Sequence, residues 1–227
     1  MGGELKGLMI EGLRSEAESA SGGMIDGLIR YAAIGDSYTI CEGADEQDRW
    51  PNVLTRHLNE HDIAAELVAN PSVTGFTTQD LIDKELPVFE SCDPNFATLL
   101  IGVNDWVQEV EAEQFRSNLS YIMDVMLKRL HGPERLVVIT IPDFGVTPEG
   151  PKYSRGRDIS RGLASFNVIV KEEAANRNLQ VVDIFESSKK MAHDPSLVWT
   201  DGLHPSPKMY AEWEEMILPV AVKALRK

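Results

Sequence analysis

Apolar residues along this chain fall into short continuous runs, separated by longer stretches in which they recur every three or four positions. The runs lie at 29–34, 64–69, 97–101, 136–141 and 181–185. Runs of this length without polar alternation predict strands that are covered on both faces. The periodic stretches predict helices over about 51–59, 78–89, 112–130, 160–177 and 207–225. The last has the clearest start signal: Ser206 is a natural N-cap, and Pro207 stands at the first helical position, where its missing N–H costs nothing. Strand–helix alternation with no repeat and no linker predicts one α/β domain over residues 25–227, built on a mainly parallel sheet. Residues 1–24 are rich in Gly, Ser and Glu and end in a Ser-Gly-Gly breaker, so they are expected to form a loosely ordered N-terminal extension.

Composition narrows the class further. Of 227 residues, 43% are hydrophobic and 26% charged, which excludes a disordered or fibrous chain. No apolar run approaches the roughly 18–20 residues that span a bilayer. Asp and Glu outnumber Lys and Arg by 36 to 22, a net charge of −14. That balance excludes nucleic acid and anionic lipid surfaces as partners, because phosphate contacts need a basic patch. The two cysteines, Cys41 and Cys92, provide neither a disulfide framework nor a four-thiolate zinc site, and are expected to be reduced core residues. The N-terminus lacks the charged–apolar–small progression of a signal peptide, and Lys6 breaks the myristoylation pattern, so a cytoplasmic location is expected.

In parallel sheets, ligands bind beyond the carboxyl ends of the strands. The residues immediately after each predicted strand are therefore informative. Gly35-Asp36-Ser37 comes after the first, Asn70-Pro71-Ser72-Val73-Thr74-Gly75 after the second, and Gly102-Val103-Asn104-Asp105 after the third; Asp201-Gly202-Leu203-His204 precedes the last helix. Together these supply the groups that acyl transfer needs. Ser37 is a hydroxyl nucleophile at a sheet edge. His204 is a base, and Asp201, three residues earlier, can accept from its Nδ1–H and turn Nε2 towards the serine. The Gly75 N–H, the Asn104 side chain and the Ser37 N–H are candidate donors to an oxyanion. Each block alone reads as an ordinary turn or cap. The conjunction of all four at one edge is what points to chemistry.

With Ser37, Gly75, Asn104 and His204 in the blocks GDSYTICEG, NPSVTGFTT, GVND and DGLH, the chain resembles the SGNH hydrolases, the GDSL-type esterases and lipases. Tyr38 replaces the eponymous leucine, and Cys41 stands where many relatives have glycine. The resemblance runs from about Tyr31 to the C-terminal helix. It implies a three-layer α/β/α, flavodoxin-like fold with five parallel strands, a Ser37–Asp201–His204 triad, and ester hydrolysis through an acyl-enzyme with no cofactor and no metal. The implied partner is a small-molecule ester.

Rival patterns carry less. His57-Leu58-Asn59-Glu60-His61 fits the H-x-x-E-H zinc pattern, but it lies at the polar end of a short amphipathic helix. No Gly-rich phosphate loop supports a nucleotide or flavin, and no G-x-S-x-G elbow supports the α/β-hydrolase fold. A non-catalytic ligand-binding module would not need the complete set of five residues. The sequon at Asn118 falls inside a predicted helix and is discounted. Trp106, Val107 and the Gly- and Pro-rich loop 143–157 are expected to wall the site. Substrates of the resembled family include simple esters, acetylated sugars, acyl thioesters and lysophospholipids. No lid segment favours long-chain lipids, and the negative charge disfavours polyanionic acyl carriers, which leaves a short- to medium-chain ester or a carbohydrate O-acetyl group.

Overall fold

The computed structural model describes residues 27–226. The expected extension over 1–24 lies outside the described residues. Five strands form a single sheet: β1 (Ile29–Gly35), β2 (Ala65–Ala69), β3 (Phe96–Leu100), β4 (Leu136–Ile139) and β5 (Gln180–Val182). Their order is β2-β1-β3-β4-β5 and every neighbouring pair is parallel. Tyr31, Ala32, Ala33 and Ile34 of β1 and all five residues of β3 are buried, which is why these strands read as apolar runs rather than alternations.

Helices cover both faces. On one, α2 (Trp50–Glu60) packs against α9 (Pro207–Leu225). On the other, α3 (Thr78–Asp80), α4 (Leu86–Ser91), α6 (Ala112–Leu130) and α7 (Ile159–Asn176) pack side by side. Short helices α1 (Ser37–Ile40), α5 (Val103–Val107) and α8 (Phe185–Ser188) follow β1, β3 and β5 directly. Strand order reverses direction between β1 and β3, so the loops carrying Ser37 and Asn104 flank the topological switch point, where a crevice opens in folds of this kind.

Three expected elements differ in detail, each for a local reason. The helix expected over 78–89 is interrupted by a π-turn at Leu81–Glu85. Pro87 has no N–H for the carbonyl four residues earlier, and its ring crowds that carbonyl, so the helix widens upstream. The fifth strand is shorter than 181–185. Asp183 accepts from Phe185 N (3.2 Å) and from Thr140 Oγ1 (2.9 Å), which turns the chain into α8. The fourth strand ends early because Asn167 of α7 takes over the pairing. It accepts from Ile141 N at 2.7 Å and donates to Ile141 O at 2.8 Å. The start signal of α9 is as expected, with the Ser206 hydroxyl accepting from Met209 N.

One glycine is demanded by packing at the centre of the sheet. A Cβ on Gly35 would lie 2.1 Å from the Leu100 carbonyl oxygen of β3 and 2.3 Å from Thr39 Oγ1. The clash is with backbone, and relief would separate β1 from β3. Gly35→Ala is expected to destabilise the fold by at least ~4 kcal/mol, in the range of the most damaging single substitutions, read as a large loss in urea midpoint or as insoluble protein.

Candidate active site

The turn after β1 brings the candidate nucleophile to the sheet edge. Asp36 is fully buried and caps α1, its Oδ1 accepting from Tyr38 N at 3.0 Å. Ser37 is the first residue of α1 and only 4% exposed. The helix ends at Cys41 in the left-handed region, φ +57°, a conformation that glycine adopts most easily. Its thiol is buried and close to the carbonyls of Tyr38 and Thr39, and burial pushes its pKa up, so it is an inert structural thiol. Cys92, expected in the core, is only half-buried.

Asp201 and His204 meet as their spacing predicts. Asp201 Oδ2 lies 2.6 Å from His204 Nδ1, while Oδ1 accepts from the N–H groups of Leu203 (2.8 Å) and His204 (3.0 Å). Burial alone would raise the Asp201 pKa. The hydrogen bonds from the His204 ring and from those two amides outweigh it and hold the carboxyl below its ordinary value. The imidazole is mostly covered, with 13% of its side chain exposed, and its ring stands 6.1 Å from that of Tyr38, the neighbour of Ser37.

The loop after β2 meets the turn after β3 at the same edge. Gly75 is exposed with φ +89°, and a Cβ there would meet nothing within 4 Å, so the space beside its α-carbon is open. Asn104 donates through Nδ2 to Phe76 O at 2.9 Å, and Gln108 Nε2 approaches Gly75 O at 3.4 Å. Beneath them, buried Asp105 accepts from both Thr78 N (2.9 Å) and Thr78 Oγ1 (2.5 Å), and Asn118 Nδ2 donates to the same hydroxyl. These bonds fix Asn104 relative to Gly75. Asp105, Thr78 and Asn118 were not singled out by sequence reasoning as parts of the site. The Asn-Asp pair was the available signal, because a second carboxylate beside the donor has no catalytic task and must be structural. Burial of Asn118 within α6 also agrees with discounting its sequon.

Two further carboxyls lie buried behind Ser37. Glu85, delivered by the π-turn, accepts from Gly35 N at 3.1 Å, and its Oε1 has no partner. Asp36 Oδ2 is likewise unpartnered. Burial raises both carboxyls to about 8, more than the amide hydrogen bonds lower them, and Asp105 adds to the rise at Asp36.

Beside Asn104 lies a small apolar cavity of about 60 Å³, lined by Val103, Asn104, Val107, Phe144, Tyr153 and Leu203. Val107 and loop 143–157 therefore form walls, as expected. Trp106 does not; it is buried behind them, edge-on to Phe144 at 6.3 Å, with the Arg157 guanidinium 4.0 Å over its ring. A π-face covered by a cation and a packed ring is not free to meet a ligand. His57 of the H-x-x-E-H pattern is held by buried Glu214 of α9 at 3.1 Å. Among the described residues no group of three or more His, Cys, Asp or Glu is placed to hold a metal, and no helix is long and apolar enough to cross a membrane.

A model of the GDSL-like Lipase/Acylhydrolase family matches residues 33–212. A search of curated proteins finds no match. Among solved structures, the chain is similar to TesA at 19% identity and a TM-score of 0.67, covering 84% of this chain and 97% of that one. It is similar to Axe2, an acetylxylan esterase from Geobacillus stearothermophilus, at 16% identity and 0.66, covering 89% and 96%. A family 3 carbohydrate esterase from Clostridium thermocellum aligns at 18% identity and 0.67, covering 88% and 98%. At these identities the likeness is one of fold.

The raised carboxyls set a pH dependence of stability. An unfolded Glu85 ionises near its ordinary 4.5, whereas the folded one retains its proton to about 8. Between those values the folded state binds more protons, so raising the pH through the window favours unfolding. The E85Q chain keeps an acceptor for Gly35 N without the titration. Its melting temperature relative to wild type is expected to rise steadily from pH 5 to pH 8.5 in thermal scans; a constant difference would contradict the burial of an ionisable group there.

Proposed function

Because the chain belongs to the GDSL-like lipase/acylhydrolase family, we propose that it is a serine esterase that cleaves carboxylic esters of small acyl groups through an acyl-enzyme on Ser37. The observation that carries the reading is the 2.6 Å Asp201–His204 pair, held against the ring of the residue that follows Ser37. A carboxylate kept ionised and bonded to Nδ1 fixes the tautomer whose Nε2 is free to accept a proton.

The chemistry runs in two halves. His204 Nε2 takes the Ser37 proton as Oγ bonds to the substrate carbonyl carbon, and the carbonyl oxygen becomes an oxyanion. The N–H groups of Ser37 and Gly75 and the second N–H of the Asn104 amide are the donors assigned to that oxygen. Ser37 N–H is an amide at the first turn of α1, which lacks an intrahelical partner, and Asn104 Nδ2 is oriented by its other bond to Phe76 O. The C–O bond to the alcohol then breaks, and His204 returns the proton to the leaving oxygen. Water repeats the sequence with His204 as base and releases the acid and Ser37. Ionised Asp201 stabilises the imidazolium in both halves.

The acetylxylan esterase and carbohydrate esterase among the structural neighbours, together with the small cavity, also support a carbohydrate O-acetyl group as substrate. A thioester is the weaker reading, because a net charge of −14 repels a polyanionic carrier.

Ser37→Ala is expected to abolish hydrolysis of p-nitrophenyl acetate and labelling by a fluorophosphonate probe, and near-wild-type activity in this variant would overturn the mechanism. Asn104→Ala should lower kcat about 10²–10³-fold with a modest change in KM, as loss of one oxyanion donor does.

A further inference from the structure

Glu85 takes no part in the proposed reaction, yet it is bonded to the turn that carries the nucleophile. β2 pairs with β1 only as far as Ala69 opposite Ala32, so Ala33, Ile34 and Gly35 have no β2 partner. The N–H of Gly35 goes instead to Glu85 Oε2 at 3.1 Å. Ser37 follows two residues later, at the first position of α1. Gly35 also pairs with Leu100 of β3, and it has no room for a Cβ against the Leu100 carbonyl and Thr39 Oγ1. The backbone leading to the nucleophile is thus held by β3 and by one carboxyl.

That carboxyl is an unusual choice. Glu85 is fully buried and is the last residue of the π-turn, in which Leu86 N reaches back to Leu81 O. Such wide turns recur at functional sites. An apolar residue would fill the same space without the cost of burying an acid, but it could not accept from Gly35 N. The charged groups that face Glu85 are Asp36, from the cap of α1, and Asp80, from α3, and Asp105 of α5 faces Asp36 in turn; all are acids. Lys84, its neighbour in sequence, is exposed and bonded to Asp80 Oδ1 at 2.7 Å. Glu85 Oε1 and Asp36 Oδ2 have no hydrogen-bond partner among the described residues. Burial among acids keeps the proton on Glu85 to about 8. At neutral pH it therefore accepts from Gly35 N without adding a negative charge behind a serine whose reaction develops an oxyanion.

We propose that Glu85 is a positioning residue for Ser37: it holds the nucleophile turn through Gly35, and it does so uncharged. The proposal rests on the serine-esterase reading above and adds to it a residue that touches no substrate.

Glu85→Leu removes the acceptor at similar bulk, and Glu85→Gln keeps an acceptor that never ionises. The test is kcat and KM for p-nitrophenyl acetate, and the rate of fluorophosphonate labelling, from pH 6.5 to pH 9 at a temperature where circular dichroism shows each chain folded. At pH 6.5 Glu85→Leu should lower kcat and the labelling rate about 10–10²-fold, the scale on which a misplaced reacting group loses rate, with KM little changed. Glu85→Gln should restore both to near the wild-type values. Above pH 8 Glu85 ionises and wild type should fall behind, so that the ratio of E85Q to wild-type kcat climbs several-fold by pH 9. A folded E85L with wild-type kcat and labelling, an E85Q no faster than E85L at pH 6.5, or a ratio constant across the pH range overturns the proposal and leaves the esterase reading standing. If E85L does not fold, the E85Q profile alone decides. A wild type that neither labels nor cleaves the ester overturns the two together.

Discussion

Three buried carboxyls, each accepting a backbone N–H, underlie the whole edge of the sheet where the site lies. Glu85 accepts from Gly35, Asp36 from Tyr38, and Asp105 from Thr78, at 3.1, 3.0 and 2.9 Å. Each amide stands at the end of a strand or in the first turn of a helix, inside the core, where it has no partner in its own element and water cannot satisfy it. A side-chain acceptor is the remaining option, and a short carboxyl is strong and compact enough to serve. The position of Ser37 follows from the first two bonds and the relation of Gly75 to Asn104 from the third. The arrangement has a cost: taking acids out of water pushes Asp36 and Glu85 up to about 8, which favours their protonated forms at neutral pH.

Asp201 behaves in the opposite way. It too accepts backbone amides, but it keeps 38% of its side chain exposed and faces an imidazole, and the balance tips towards the charged form. One residue type thus does two jobs at one edge, as a largely neutral brace where desolvation dominates and as a fixed negative charge where hydrogen bonds and solvent dominate. The overall charge of −14 bears on neither role, since most acids, such as Glu111 and Glu113, are exposed and solvated. Its bearing is on which substrates approach.

The site is also stitched laterally. Thr74 Oγ1 bonds to Glu42, the Tyr210 hydroxyl donates to Glu42 O, and Glu149 N donates to Gly202 O, so the blocks that carry nucleophile, oxyanion donors and base are joined by loops rather than by the sheet alone.

Much was legible in the residues alone. The central strands β1, β3 and β4 announced themselves as apolar runs, because a parallel strand covered on both faces has few polar positions to interrupt it, whereas the edge strands β2 and β5 are only partly buried. Asp201 and His204 were legible because three residues of spacing on one turn brings a carboxylate to an imidazole with no help from the rest of the chain. The break at the π-turn was only half-visible in Pro87, and the shortening of the fifth strand depended on Asp183 finding Thr140, a partner 43 residues away. Nothing in the sequence sets Glu85 apart from the other acids of its helix, and Trp106 read as a wall residue rather than the packed ring behind the wall. Sequence by itself determined the local periodicities, the caps and the four edge blocks, because these rest on contacts within a few residues. Tertiary structure alone decided which acids are buried and which are solvated, and how large a space remains beside Asn104, because burial and volume are set by every segment that converges on a point.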